Sequence, residues 1–336
     1  MGAVLKAIEY VFPSKEVSNS DLSKVYPEYD FEKFEQKVGI KSRYWVEDNE
    51  TALDLAERAC LKLFERYDKA SIDYIIYCTQ SPEYFLPTTA CILQERLGLS
   101  THIGAYDFNL GCSGYVYGLS MAYALINSNQ AKNILLVTAE TYSKFLHRQD
   151  KSNRAIFGDA ATASLISEDE FDGFGKFGFG TDGSGADKLI VKNGGAKNAL
   201  EENAVLKEYG TDNAYTDNHL YMNGPEVFNF TTKRIPGFTK EVLEKNQLSI
   251  AAVDQFVFHQ ANSFMLEFLR KRIGVESSNF YNNLADGGNT VSNTIPIGLK
   301  RFSNDIKIDD PKTIVIVGFG VGLSWAGGAI KIKNSL

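Results

Sequence analysis

The stretch Ile72-Asp-Tyr-Ile-Ile-Tyr-Cys-Thr79 has an echo at Val253-Asp-Gln-Phe-Val-Phe-His-Gln260, 181 residues later. Each is an apolar run entered after an acidic residue, the pattern of a strand buried on both faces of a sheet. A helix-like stretch precedes each copy, 53–67 in the first and 239–246 in the second. A second pair repeats the offset: Asn133-Ile-Leu-Leu-Val137 lies 180 residues before Thr313-Ile-Val-Ile-Val317. Two segments at nearly one offset point to a duplicated unit, with halves at 1–170 and 171–336. Strands alternate with amphipathic helices in both halves, which predicts an α/β layered fold with parallel pairing. Helices are expected over 88–97, stopped by Gly98, and over 112–127, where Tyr115, Leu119, Tyr123 and Ile126 keep helical spacing. Pro225 opens another after Asn223-Gly224. Residues 171–224, rich in Gly, Asn and Asp, read as loops and short strands that join the halves and shape an entrance.

Composition narrows the function. The 336 residues are 44% hydrophobic and 23% charged, which supplies a sizeable core and excludes a disordered chain. There are 35 Lys and Arg against 42 Asp and Glu, a formal charge of -7 and the wrong sign for neutralising many phosphates. Nucleic acid is therefore not the expected partner. No apolar run reaches the roughly 18 residues of a spanning helix, and the first residues lack a secretory apolar segment. The 4 cysteines include no CxxC pair, which argues against a disulfide framework or structural zinc. The expectation is a cytoplasmic protein with no metal and no membrane span.

With 4 histidines and 4 cysteines, each candidate for chemistry is weighed singly. Cys60, Cys78 and Cys91 fall on helices or at a strand end and read as small core residues. Cys112 follows a strand (105–110) and a glycine and opens a helix. Either it is chosen for size at a tight turn, or it is a thiol whose pKa the helix N-terminus lowers. His259 ends the second copy of the echoed strand, and ligands gather at the carboxyl ends of parallel strands. His102, His147 and His219 sit in loops or at element ends and read as solvated or capping residues. Asn289, in Asp286-Gly-Gly-Asn-Thr290 after a strand-like 279–282, is either an ordinary loop residue or an amide offered to a pocket. It lies 177 residues beyond Cys112, so duplication sets both on related loops facing one cleft. Gly318-Phe-Gly-Val-Gly322 reads as a bend between strands or as backbone N–H groups for an oxyanion. Gly173-Phe-Gly-Lys-Phe-Gly178 matches a dinucleotide fingerprint only literally, because no buried strand precedes it and no helix follows.

These pieces together resemble the thiolase superfamily, and within it the β-ketoacyl-acyl carrier protein synthase III condensing enzymes. The resemblance runs from Ala7 to the C-terminus. It is carried by Val38-Gly-Ile-Lys-Ser-Arg43, Asp107-Phe-Asn-Leu-Gly-Cys-Ser-Gly114, Phe157-Gly-Asp-Ala160, Met222-Asn-Gly-Pro-Glu-Val-Phe228, His259-Gln-Ala-Asn262, Gly288-Asn-Thr290 and Gly318-Phe-Gly320 with Trp325 beyond. It implies a five-layered α-β-α-β-α arrangement of two similar halves, normally dimeric. It also implies Cys112 as acyl-accepting nucleophile, with His259 and Asn289 completing a Cys-His-Asn set. The N–H groups of Cys112 and Val321 would form an oxyanion hole for condensation. Acyl-CoA is then a substrate, malonyl-acyl carrier protein the second, and no cofactor is tightly bound.

Departures from the family pattern bear on specificity. Its usual tryptophan and arginine near the entrance are Lys33 and Lys37 here, so an adenine-stacking ring is lost while a charge for a CoA phosphate stays. Arg154 matches another adenine-side arginine, and Asn262 joins Lys37 and Arg154 as an expected CoA contact. The arginine commonly found two residues after the HQAN block is Phe264, leaving Lys271 and Arg272 as the basic pair for carrier docking. Leu86 stands where the partner subunit often lines the acyl tunnel, and Phe319 is grouped with it as a tunnel or dimer contact. Two rivals remain at this level. One is a related acyltransferase that uses an alcohol, an amine or a second acyl-CoA as acceptor. The other is a papain-like cysteine hydrolase, whose nucleophile-to-histidine spacing includes the 147 residues found here.

Overall fold

The computed structural model describes residues 2–336. A first sheet contains β1 (Gly2–Val11), β2 (Tyr74–Cys78), β3 (Gly104–Phe108), β4 (Asn133–Glu140) and β5 (Ala160–Asp169), in spatial order β1-β5-β4-β2-β3. Within it β2 is parallel to β3 and β4, whereas β5 is antiparallel to both β4 and β1. A second sheet contains β6 (Gly178–Thr181), β7 (Gln255–Phe258), β8 (Lys312–Gly320) and β9 (Ser324–Ile332), in order β7-β8-β9-β6. Here β7 is parallel to β8, and β9 is antiparallel to β8 and β6. Superposing β7 on β2, β8 on β4, β9 on β5 and β6 on β1 reproduces every strand direction. The two echoed segments are thus corresponding strands of the two sheets. The counterpart of β3 shrinks to one parallel bridge between Phe256 and Phe280, where 279–282 reads as a strand.

Helices cover the sheets in matching places: α1 (Ala52–Phe64), α2 (Thr89–Leu97), α3 (Gly114–Asn127), α4 (Gly224–Lys245), α5 (Ser263–Ile273) and α6 (Thr294–Asp305). Local sequence sets their ends. Thr51 and Asp54 form a reciprocal capping box at α1, and Gly98 closes α2 with a left-handed φ of 60°. The sequence suggests a helix over 239–246 separate from one opened by Pro225, but α4 is continuous through Pro236. Ile235, Pro236, Phe238, Val242 and Leu243 are buried along it, and that packing overrides the interruption.

The period-two alternation of buried strands divides the core into layers. Ile76, Ile134, Leu136, Val257, Ile314 and Ile316 point into a central layer filled by α3 and α6. Their neighbours Ile75, Tyr77, Leu135 and Val137 face α1 and α2 on one outside. Phe256, Phe258, Val315 and Val317 face α4 and α5 on the other. The result is the expected five-layered α-β-α-β-α architecture of the thiolase-like fold. The parallel strands β2, β4, β7 and β8 end at Cys78, Glu140, Phe258 and Gly320, and the site is built on those carboxyl ends. Among the described residues no helix is long and apolar enough to cross a membrane.

Leu136 is fully buried between β4 and α3. Leu136→Ala removes three buried carbons from a layer that both sheets share. It should lower unfolding free energy by about 2–5 kcal/mol, read as a lower urea midpoint.

Candidate active site

Cys112 sits in the turn between β3 and α3, where it rests on two glycines of β8. A Cβ added to Gly318 would come 2.6 Å from the Cys112 carbonyl oxygen, and one on Gly320 would come 2.9 Å from Sγ. Only hydrogen at these positions permits the approach. The sulfur is buried beside Tyr142, Leu146, Phe157, Leu189, Leu220 and Val291. Leu189 and Leu220 come from the short strands within 171–224, so that segment walls the site.

His259 leaves the end of β7. Its N–H donates to the Val317 carbonyl at 2.9 Å, and its ring meets Phe319 edge-on at 5.5 Å. Its Nδ1 lies 2.7 Å from Thr294 Oγ1, which is also 3.1 Å from the Val291 carbonyl. Thr294 has a single proton, which sets the tautomer: given to the Val291 carbonyl it puts the ring proton on Nδ1, and given to Nδ1 it leaves Nε2–H free for a ligand.

Asn289 follows Gly288, whose φ is 65° and where a Cβ would stand 2.6 Å from the Ile156 carbonyl. The Asn289 N–H donates to that carbonyl at 2.9 Å, and its own carbonyl accepts from Gly158 at 3.1 Å. Its Oδ1 accepts the Val291 N–H at 2.9 Å, which turns the amide and commits its oxygen. Val291 and Val321 both bound the space over Gly111, within 3.4 and 2.6 Å of a Cβ built there. The turns carrying Cys112, Asn289 and Val321 therefore touch, and Phe319 ties His259 to them.

The charge states differ from expectation at the sulfur. The helix begins at Gly114 with Ser113 as its cap, so Cys112 stands outside the first turn. Burial pushes the Cys112 thiol up to about 12, and Glu140 adds to this, while the N–H groups of Cys112 and Val321 pull the other way. Desolvation outweighs the helix end, and the resting group is a neutral thiol rather than a thiolate. Burial likewise drives His259 down to about 3, against a smaller opposing effect of the Val291 carbonyl.

Several other positions are placed as follows. Phe319 is 2% exposed and packs against Phe258 and His259, so it backs the imidazole. Leu86, by contrast, is 83% exposed at a loop tip. Asn262 caps α5 by accepting the Met265 N–H at 2.8 Å. Arg154 lies over the Trp45 ring at 4.3 Å, and its buried Nε lacks a partner. The Lys37 ammonium stands 5.1 Å from the Phe264 ring centre, so two departures from the family pattern pack on each other. Lys271 pairs with Glu267 at 3.2 Å, while Arg272 lines a surface cleft with Lys233 and Lys240. Cys60 and Cys78 are buried, but Cys91 is exposed, because α2 turns Ala90, Leu93 and Leu97 inward instead. His102 is exposed, and the half-buried His147 and His219 pair with each other at 4.8 Å. Sequence reasoning missed Thr294, Ser292 and Glu140. The signal was a run of hydroxyl and amide residues, Asn289 to Thr294, that is buried throughout.

Comparison with known proteins agrees with this geometry. The family model described as 3-oxoacyl-[acyl-carrier-protein (ACP)] synthase III matches residues 106–183, and that for its C-terminal part matches 243–332. A β-ketoacyl-[acyl-carrier-protein] synthase III of Clostridium perfringens is 36% identical over 299 residues, 88% of this chain and 89% of its own. A crystal structure of a 3-oxoacyl-(acyl-carrier-protein) synthase III is 42% identical with a TM-score of 0.96, covering 99% of this chain and 100% of the other. The Thermus thermophilus synthase III aligns at 32% identity and TM-score 0.85, over 97% and 98% of the two chains. The fold and these matches define a thiolase-like condensing enzyme, an acyl-transferring catalyst. More particularly, the chain belongs to the β-ketoacyl-[acyl-carrier-protein] synthase III family. A papain-like hydrolase is excluded by this architecture, and the shared spacing of cysteine and histidine is coincidental.

The His259 ring should remain neutral from pH 8 to pH 5, visible in the 15N NMR shifts of its imidazole. Its folded pKa lies below the unfolded value, so the unfolded chain takes up the proton first. Stability should therefore fall as pH drops from about 6.5 towards 3, measured as declining urea midpoints.

Proposed function

We propose that Cys112 accepts an acyl group from acyl-CoA and that His259 and Asn289 then drive decarboxylative condensation with malonyl-acyl carrier protein. The observation that carries this reading is the junction of three chain turns around one buried sulfur. In the first step Cys112 Sγ bonds to the acyl carbon, the bond from that carbon to the CoA sulfur breaks, and the thiol proton leaves with CoA. A neutral thiol suits exchange with another thiol of ordinary acidity, since attacking and leaving sulfurs then need little bias.

In the second step the malonyl carboxylate leaves as carbon dioxide. The electron pair moves into the thioester, whose oxygen becomes negative between His259 Nε2–H and the Asn289 Nδ2–H group. A ring that stays neutral is a hydrogen-bond donor to that oxygen rather than an acid. The carbanion bonds to the acyl carbon, the new oxyanion rests on the N–H groups of Cys112 and Val321, and the bond to Cys112 breaks. The departing sulfur takes up one proton from solvent, which balances the loss of the carboxylate as carbon dioxide, and the product is a β-ketoacyl thioester on the carrier. Each donor of this kind is worth about 2.7–4 kcal/mol in comparable oxyanion sites.

Binding surfaces fit these substrates. On this reading Lys37, Arg154 and Asn262 take the CoA contacts. Arg272 with Lys233 and Lys240 offers a basic cleft to an acidic carrier, with Lys271 on the same helix turn. Phe85 and Leu86, 86% and 83% exposed, support a homodimer in which each loop tip closes against the partner. The free cysteines support a reducing, cytoplasmic setting.

Radiolabelled acyl-CoA should label the wild type and leave Cys112→Ala unlabelled; full labelling of that variant refutes the nucleophile. His259→Ala and Asn289→Ala should still take up label yet release carbon dioxide from malonyl-carrier about 10²–10³-fold more slowly. For the dimer, Leu86→Asp should shift the sedimenting species from dimer to monomer, and an unchanged sedimentation profile would remove that loop from the interface.

A further inference from the structure

Glu140 ends β4 directly beneath the site and is fully buried. It accepts the Gln80 N–H at 3.1 Å, the Ser81 hydroxyl at 3.3 Å and the Ser292 hydroxyl at 2.9 Å. The Gln80 side chain accepts the Tyr142 hydroxyl at 2.5 Å and donates to Asn109 at 3.0 Å. Its amide oxygen would lie 2.6 Å from a Cβ on Gly111, the neighbour of Cys112. Ser292 lies between Asn289 and Thr294. A single carboxyl group therefore supports, from below, the turn that bears the sulfur and the segment that bears the amide and the imidazole's partner. The proposed reaction gives it no task.

We propose that Glu140 is a positioning residue that holds the Cys112 turn and the Asn289 segment in register, and that its charge opposes formation of the Cys112 thiolate. The titratable groups that face it are Asp159 before β5, Cys78 and Tyr77 on β2, Tyr142 after β4, and Cys112 itself. None is a cation, so nothing on these elements compensates a negative charge there. Burial holds the carboxyl up to about 8, with Asp159 adding to it, against the pull of Gln80, Ser292 and Ser81. Near neutral pH the group is mostly uncharged, and above pH 8 its charge stands next to the thiol.

The inference rests on Cys112 being the nucleophile, but sulfur acidity can be read without any acyl substrate. Iodoacetamide alkylation of Cys112, followed by peptide mass spectrometry from pH 6.5 to 9.5, compares the wild type with Glu140→Gln. The exposed Cys91 in the same protein serves as internal standard. The two rates should agree at pH 6.5, where both proteins carry the same charge, and Glu140→Gln should react about three- to tenfold faster at pH 9.5. A ratio that does not change with pH overturns the electrostatic role, since a purely structural effect persists at every pH. Ser292→Ala keeps the carboxyl and cuts its link to Asn289. It should slow decarboxylation of malonyl-carrier several-fold while acyl labelling stays near wild type; equal effects on both steps, or none, overturn the positioning role.

Discussion

Everything at the site depends on how closely the Cys112 turn lies on β8. The two segments are about 200 residues apart in sequence, and they meet because Gly318 and Gly320 present no side chain to the Cys112 carbonyl and sulfur. That contact does three things at once. It joins the two sheets at their carboxyl ends. It removes water from the sulfur. It also brings the N–H of Val321, on the turn after β8, to the place where a tetrahedral oxyanion forms on the proposed pathway.

Dehydration has a cost that the resting protein carries openly. A thiol held near 12 and an imidazole held near 3 are both uncharged at neutral pH, so these two groups form no ion pair. Negative charge would appear only when substrate supplies it. Neutral donors in a dry cavity answer such transient charge better than permanent ions, because they need no reorganisation and bind no competing counter-ion. The buried hydroxyls of Ser292 and Thr294 fit that economy. Each has one proton to give, Ser292 to Glu140 and Thr294 to His259 or the Val291 carbonyl, so each can set a neighbour's orientation without adding charge.

Much of this was legible in the sequence, and the reasons are physical. The echo between 72–79 and 253–260 survived because strands buried on both faces tolerate few residue types, and the same pressure acts on both sheets. Cys112, His259 and Asn289 stood out because each ends or follows such a strand in a polar or glycine-marked context. What could not be read was the balance of burial against the helix end at Cys112, since desolvation depends on residues from several separate stretches of chain. The packing of Phe319 on His259 was hidden for a related reason: sequence places it in a glycine turn, while only the tertiary fold reveals the imidazole at its edge. Helix α4 passes through Pro236 because its apolar face is worth more in contact with β8 and β9 than a break would be.

The duplication also explains how a symmetric frame produces an asymmetric site. Cys112 and Asn289 occupy corresponding loops, each leading into a central helix, α3 or α6. In the first half that loop follows a full strand, β3, and the side chain arrives two residues before the helix. In the second half the strand has shrunk to one bridge at Phe280, and the released chain forms a longer approach to α6. The added length permits the turn at Gly288, the reversed amide of Asn289 and the buried hydroxyls that follow. The shorter pairing in the second half thus leaves the backbone that forms the Asn289 turn. A strictly repeated structure would have set two equivalent turns against each other and left no room for a substrate between them.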